Sequence, residues 1–204
     1  MEGLENPDNR FNYIEPLEVY HPLEDFDLAM DASHYASKGE AREIFGSYND
    51  VSAVEPGMRV ERVLQIRALR KYLDLTPELV YYPGCGTDLA PSEGFPEADV
   101  LYVDIEEENI SKLESEGYDA VCAEAESFDV KENTGSKPEL IFMYDPSGNP
   151  EEIISGNIKQ DNWVFADKAL SKDLKPVAGV VLTRDGYLEI HDSRPCNIFA
   201  NKKE

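Results

Sequence analysis

Two glycines in the run Pro83-Gly84-Cys85-Gly86-Thr87-Asp88 follow the apolar segment Leu79-Val80-Tyr81-Tyr82. Eighteen residues after Gly86, Asp104 closes a second apolar segment, Val100-Leu101-Tyr102-Val103. Together these residues have the means to hold a nucleoside. Glycine permits a tight turn and a close approach of backbone to ligand, and an acid ending the next strand can accept both hydroxyl hydrogens of a ribose. Two more segments, Ala123-Glu124-Ala125-Glu126 and Tyr144-Asp145-Pro146-Ser147-Gly148, each follow a short apolar run. In a parallel sheet all four converge beyond the carboxyl ends of the strands, where ligands bind.

Other chemistries find little support in the sequence. His21, His34 and His191 lie in separate segments with no His-x-x-x-His or Cys-His spacing, so no metal ligand set is expected. There is no Gly-x-Ser-x-Gly elbow for a serine nucleophile. Cys85 lies near an expected helix start, a setting that lowers a thiol pKa, yet small residues of many kinds fit that loop and a space-filling role is expected. His191-Asp192 reads as a local hydrogen bond, and Trp163 as a core residue.

The elements that must position these residues follow from apolar periodicity, which changes at Pro77. Before it, Val60, Val63, Leu64, Ile66, Leu69, Tyr72 and Leu73 recur at three and four residues, predicting a helix from near Pro56-Gly57 to just before Thr76-Pro77. After it, short apolar runs alternate with polar, helix-compatible segments, the pattern of an α/β sheet. Strands are expected at 79–82, 100–104, 119–122, 139–144 and 162–166, with helices near 106–117, 150–158 and 167–174. Only a short helical turn fits between the first two strands. Two β-rich runs, 177–183 and 187–191, flank Arg184-Asp185-Gly186 and predict an antiparallel hairpin ending an otherwise parallel sheet. Residues 1–35, with Pro7, Pro16, Pro22 and several aromatic residues, are expected to form an arm on a single domain of residues 36–204, whose first helix runs from Ser37 to Phe45.

Charge narrows the partners. With 42 acidic against 19 basic residues the formal charge is −23, a field that repels nucleic-acid backbones and anionic lipid. The basic stretch from Arg59 to Lys71 is interrupted by Glu61 and apolar residues and reads as a solvated helix face. No apolar run is long enough for a membrane span or a signal peptide, and Cys85, Cys122 and Cys196 are too scattered for a disulfide framework or a zinc site. A soluble, cytoplasmic protein with free thiols is expected.

Residues 57–192 resemble the class I, Rossmann-like S-adenosylmethionine-dependent methyltransferases. The resemblance implies a mostly parallel twisted sheet flanked by helices, closed by an antiparallel seventh strand that the terminal hairpin would supply, and S-adenosylmethionine as cofactor. It places Gly84, Cys85 and Gly86 at the centre of the glycine loop, Asp104 on the ribose with Ile105 beside it, and Glu124 on the adenine amino group with Ala125 beside it. Two positions depart from the family pattern. Tyr82 stands where an acid commonly orients the methionine amino group, and Asp88 where a further glycine usually follows. Asp88 either replaces the missing acid or marks a site that no longer takes the cofactor, and Pro83 stiffens the loop with or without a ligand. Asp145-Pro146 resembles the acid-Pro-Pro-aromatic motif of amine methyltransferases, although Ser147 and Gly148 depart from it. Asp145 is thus a candidate substrate-facing residue, or else a cap on the turn leaving its strand.

The activity implied by the resemblance is methyl transfer to a small molecule. The departures imply an alternative, a methyltransferase-like scaffold without activity that serves as a binding module. A nicotinamide dehydrogenase is disfavoured, because Leu89 occupies the last glycine position of a Gly-x-Gly-x-x-Gly loop.

Overall fold

The computed structural model describes residues 15–21, 54–144, 148–167, 174–183, 187–192 and 196–203, with the backbone alone at 54–60 and 203. Most of the N-terminal arm, the helix expected at 37–45, most of the helix expected at 167–174, the turn at 184–186 and Asp145 lie outside the described residues.

Helix α1 (Val54–Leu73) buries Val63, Leu64, Ile66, Ala68 and Leu69 along one stripe and gives way to Asp74, whose φ of 52° takes the backbone out of the helix. The chain then alternates through β2 (Leu79–Pro83), α2 (Ala90–Gly94), β3 (Asp99–Asp104), α3 (Glu107–Ser115), β4 (Ala120–Cys122), α4 (Val130–Thr134), β5 (Leu140–Met143), α5 (Pro150–Asn157) and β6 (Trp163–Ala166). The strand Leu140-Ile141-Phe142-Met143 is buried throughout, which is why it reads as an unbroken apolar run and not as an alternating one. Three longer-range strands follow, β7 (Leu174–Leu182), β8 (Leu188–His191) and β9 (Ile198–Lys203), and Glu18–Tyr20 adds β1 at the far edge.

The nine described strands form one sheet in the order β4-β3-β2-β5-β6-β9-β7-β8-β1. The first five run parallel, and the rest join through antiparallel pairings. The chain walks outward from β2 to β4, then returns past β2 to β5. Strand order therefore reverses between β2 and β5, and a Rossmann-like sheet opens its crevice at that switch point. Residues from α1, α2 and α3 share one core with one face of the sheet, whereas α4 and α5 contribute Val130, Ile153 and Ile154 to a second core on the other.

One element differs from expectation in identity. The antiparallel strand lying against β6 is β9, whereas the second hairpin strand, β8, sits two places farther out with β7 between them. β9 escapes a periodic reading because the buried Asn201 interrupts it; in the sheet its Nδ2 donates to the Val164 carbonyl at 3.2 Å. Trp163 is half-buried with the Lys202 ammonium 5.5 Å from its ring centroid, so it edges the core instead of filling it. The basic stretch of α1 also differs from a solvated face. Arg67 donates to the Glu93 carbonyl from Nε and Nη2 at 3.2 and 3.0 Å, and Arg70 pairs with Glu97 at 2.6 Å, tying α1 to α2 and the loop after it. Among the described residues no helix is long and apolar enough to cross a membrane.

Candidate functional site

The strand end Tyr82-Pro83 leads straight into a loop that only glycine makes comfortably. Gly84 and Gly86 have φ values of 65° and 54°, in the left-handed region that side chains resist. A Cβ on Gly86 would meet nothing within 4 Å, so the backbone angle demands glycine there and the space above it stays open. The loop's amides turn inward. Those of Gly84 and Cys85 both donate to the Val103 carbonyl, at 2.7 and 3.2 Å, that of Asp88 donates to the Cys85 carbonyl at 3.1 Å, and that of Gly86 donates to Asp104 Oδ2 at 2.7 Å. Cys85 is buried beneath the loop, and burial together with the Asp104 charge pushes its thiol up to about 12, the reverse of a nucleophile's adjustment.

Asp104 ties the loop to the turn that follows β3. Besides the Gly86 amide it accepts the Glu106 amide at 2.9 Å and Asn109 Nδ2 at 3.4 Å, both on Oδ1, which fixes its carboxylate between the loop and the start of α3. It still lines a cleft of about 210 Å³ with Gly84, Ile105, Glu124 and Ala125. Ala123, Glu126, Gly148 and Ile153 complete the lining. Ile105 is 60% exposed at the lip, an apolar surface suited to a base, and the exposed Glu124 carboxylate takes no hydrogen bond among the described residues. Glu126 reaches across to accept the Asn149 amide at 3.0 Å, joining the β4 loop to the entry of α5. The lining thus carries three carboxylates and, among the described residues, no basic side chain. The first turn of α3 adds Glu107 and Glu108, so that helix end offers nothing to an anion.

On the other side of the glycine loop the carboxylate is committed within the protein. Asp88 Oδ2 accepts from Arg62 Nη1 and, at 3.0 Å, from the Tyr82 hydroxyl; its Oδ1 accepts the Ala90 amide at 3.1 Å. The Arg62 and Asp88 side chains are only 13% and 15% exposed. The Arg62 guanidinium carbon lies 4.1 Å from the centroid of the Tyr144 ring, a cation–π contact. Tyr82 is buried against Phe142 and Tyr102, and burial first, then the Asp88 charge, holds its phenol well above the ordinary range.

The structure therefore brings Gly84, Asp104, Ile105, Glu124 and Ala125 together around one cleft, with Gly86 bonded to its anchor. Cys85 lies under the loop, and Asp88 is directed away from the cleft to Arg62. Asp145 is outside the described residues. Arg62, Glu126 and Ile153 were missed by sequence reasoning. For Arg62 a signal existed: it lies four residues before Ile66 and seven before Leu69, a charge on the apolar stripe of its helix. His191, expected to bond Asp192, instead places Nε2 3.0 Å from Glu189 Oε2.

No protein-family profile matches the sequence, and no curated protein matches it significantly. Solved structures overlap in part. The plantazolicin methyltransferase BpumL, solved with S-adenosylhomocysteine, is 19% identical over 66% of this chain, with a TM-score of 0.45. The chain spans 55% of that enzyme's length. The N-methyltransferase NodS from Bradyrhizobium japonicum is 10% identical over 70% of this chain and 94% of its own, with a TM-score of 0.49. Both are methyltransferases, and the Rossmann-like architecture described above stands on its own strand order.

Proposed function

We propose that the cleft binds the adenosyl part of S-adenosylmethionine and that the protein is a methyltransferase acting on a small molecule. The observation that carries this reading is the inward-turned glycine loop. With the Gly84, Cys85, Gly86 and Asp88 amides engaged within the protein, the loop keeps only the Thr87 amide among its donors, too few to cradle the phosphates of a dinucleotide or a nucleoside triphosphate. The charges agree. A phosphate oxygen 4 Å from one lining carboxylate is opposed by about 4 kcal/mol at a protein surface, and a sulfonium cation is favoured by the same field.

The lining residues have the donors and acceptors that an adenosyl group requires. Asp104 keeps one free lone pair, on Oδ2, for a ribose hydroxyl after accepting its three protein donors, Ile105 offers an apolar face to the base, and Glu124 an acceptor for the adenine amino group. When bound, the cofactor supplies an electrophilic methyl group. The protein's work is then alignment for an in-line displacement and exclusion of water, for which a dedicated base is optional. Asp145, following β5, is the proposed substrate-facing residue. The acidic field disfavours nucleic acid or an anionic membrane as partner and suits a small acceptor in the cytoplasm.

A second reading, a scaffold that takes no cofactor, draws on one observation: Asp88, the acid nearest the glycine loop on that side, already accepts three donors from within the protein. Calorimetric titration separates the readings. Heat with S-adenosylmethionine and S-adenosylhomocysteine, lost in Asp104→Ala and absent with NADH and ATP, supports the enzyme. Silence at millimolar ligand with the protein folded supports the scaffold, and binding of NADH sinks the adenosyl-sulfonium reading.

A further inference from the structure

Gly179 on β7 leaves a slot that a thiol fills. A Cβ there would lie 2.5 Å from Cys196 Sγ and 2.6 Å from Cys196 Cβ, so the sulfur occupies the space any side chain at 179 would take. Gly179 pairs with Phe199 on one side and with His191 on the other. Antiparallel partners point their side chains to the same face with Cβ atoms about 4.5–5.5 Å apart, which sets the sulfur beside the His191 ring. Phe199 pairs in turn with Ala166, the last residue of β6, so this row lies at the end of the sheet where the cleft opens.

The His191 ring is itself incomplete. The residue is 1% exposed, its Nε2 faces Glu189 Oε2 at 3.0 Å, and its Nδ1 is buried with no hydrogen-bond partner among the described residues. A carboxylate only accepts, so in the neutral ring Nε2 carries the hydrogen and Nδ1 a lone pair. A base held by an acid on one nitrogen, with the other open beside a thiol, is the arrangement that activates a sulfur nucleophile. The strand positions flanking Glu189 are apolar, Val181 on β7 and Val19 on β1. Beyond Glu189 stand Tyr187 and His21, whose rings meet edge-on at 5.6 Å, and the exposed Asp192 follows His191.

We propose that Cys196 is a modification site for small neutral or cationic disulfides, with His191 as its base and Glu189 as the positioning residue that holds the ring. The Cys196 thiol passes its proton to His191 Nδ1, and the thiolate attacks one sulfur of the disulfide. As the new S–S bond forms the old one breaks, and the departing thiolate takes the proton back from the imidazolium. One thiol is consumed and one released, so the disulfide is the only oxidant needed. The formal charge of −23 repels anionic disulfides. Cys85 cannot share this chemistry, because it is buried and its thiol is pushed up to about 12. Cys196 is partly exposed and reduced. Nothing in this chemistry depends on a ligand in the cleft. A cysteine that merely fills the slot over Gly179 would be indifferent to His191.

The test adds cystamine, a dicationic disulfide, to the full chain across neutral and mildly acidic pH and times the mixed disulfide at each cysteine by peptide mass spectrometry. Cys122, exposed and 3.4 Å from the Ile105 carbonyl, is the comparison thiol, and Cys85 stays unlabelled while the chain is folded. An unassisted thiol is only about 1% thiolate near pH 6.5. Cys196 is expected to react there roughly five- to tenfold faster than Cys122, its larger thiolate fraction being partly offset by weaker nucleophilicity. Below neutrality the rate of an unassisted thiol falls about tenfold per pH unit, and that of Cys196 is expected to fall less than about threefold. His191→Gln is expected to bring Cys196 to the Cys122 rate or below and to restore the steep profile, and Glu189→Gln to move both part of the way. A native Cys196 that tracks Cys122 in rate and pH profile overturns the proposal whether or not the variants fold, as does an unchanged profile in folded His191→Gln. Glutathione disulfide, which is anionic, is expected to react with Cys196 about tenfold more slowly than cystamine at low salt, and equal rates would overturn the stated ligand class.

Discussion

The two sides of the glycine loop use the same side-chain chemistry in opposite ways. Toward β4, the carboxylates of Glu124 and Glu126 are exposed, and Asp104, though tied down by backbone amides, still faces the cleft. Toward α1, the Asp88 carboxylate is enclosed by a guanidinium, a phenol and a helix-end amide. The difference lies in the supply of donors. Helix α1 brings Arg62 across the sheet to the switch point, whereas the β4 side supplies its acids mostly with backbone N–H groups and leaves Glu124 with none. Capacity to bind remains where the protein has not provided its own partner.

That contrast is open to direct attack by mutation. Asp88→Ala should be the most damaging change, about 3–5 kcal/mol in urea unfolding, because it strands a largely buried guanidinium. A loss under about 1 kcal/mol would place Asp88 on the footing of a surface acid and dissolve the distinction. Asp104→Asn comes next, at about 1.5–3 kcal/mol, since one carboxylate oxygen becomes an N–H group facing the Gly86 or the Glu106 amide. Unlike the Asp88 change, it should also abolish the heat of S-adenosylhomocysteine binding. Equal ligand losses in the two variants would mean that the sides are not functionally distinct.

Gly86→Ala probes the hinge between them. With no steric obstacle near its Cβ, the cost is that of a left-handed alanine, about 1–2 kcal/mol by the same unfolding measurement. A larger loss would mean that the loop's amide on Asp104, and not its backbone angle alone, is disturbed.

Much of this arrangement was legible in the sequence, because the parallel half of the sheet is made of short runs buried on both faces. The segment Leu79 to Tyr82 and that from Val100 to Asp104 fall within one residue of β2 and β3. The antiparallel half was harder. Ile198–Lys203 hides a central strand behind Asn201 and two lysines, and pairs with β6 and β7 at long range, which local periodicity does not report. Helix α4 left a signal that went unused: Asp129 accepts the Glu132 amide at 3.1 Å as a cap, and Gly135 at φ 84° ends the turn. Spacing placed Asp104 near the glycine loop and the family resemblance singled out Glu124, but neither gave a hint that Arg62, 26 residues before Asp88, would occupy that residue's carboxylate. A charge on an apolar helix stripe indicates burial with a partner and leaves the partner unnamed.

The smallest stability change and the sharpest discrimination belong to Glu124→Ala. The side chain is exposed and holds no hydrogen bond among the described residues, so its removal should shift unfolding by no more than about 0.5 kcal/mol. The same change should weaken S-adenosylhomocysteine and methylthioadenosine alike, by about tenfold, because in the proposed pose both present the adenine amino group to that carboxylate. If Glu124→Ala left both affinities unchanged, the exposed acids of the β4 loop would be solvated surface, and the open side of the comparison would shrink to Asp104 and Ile105.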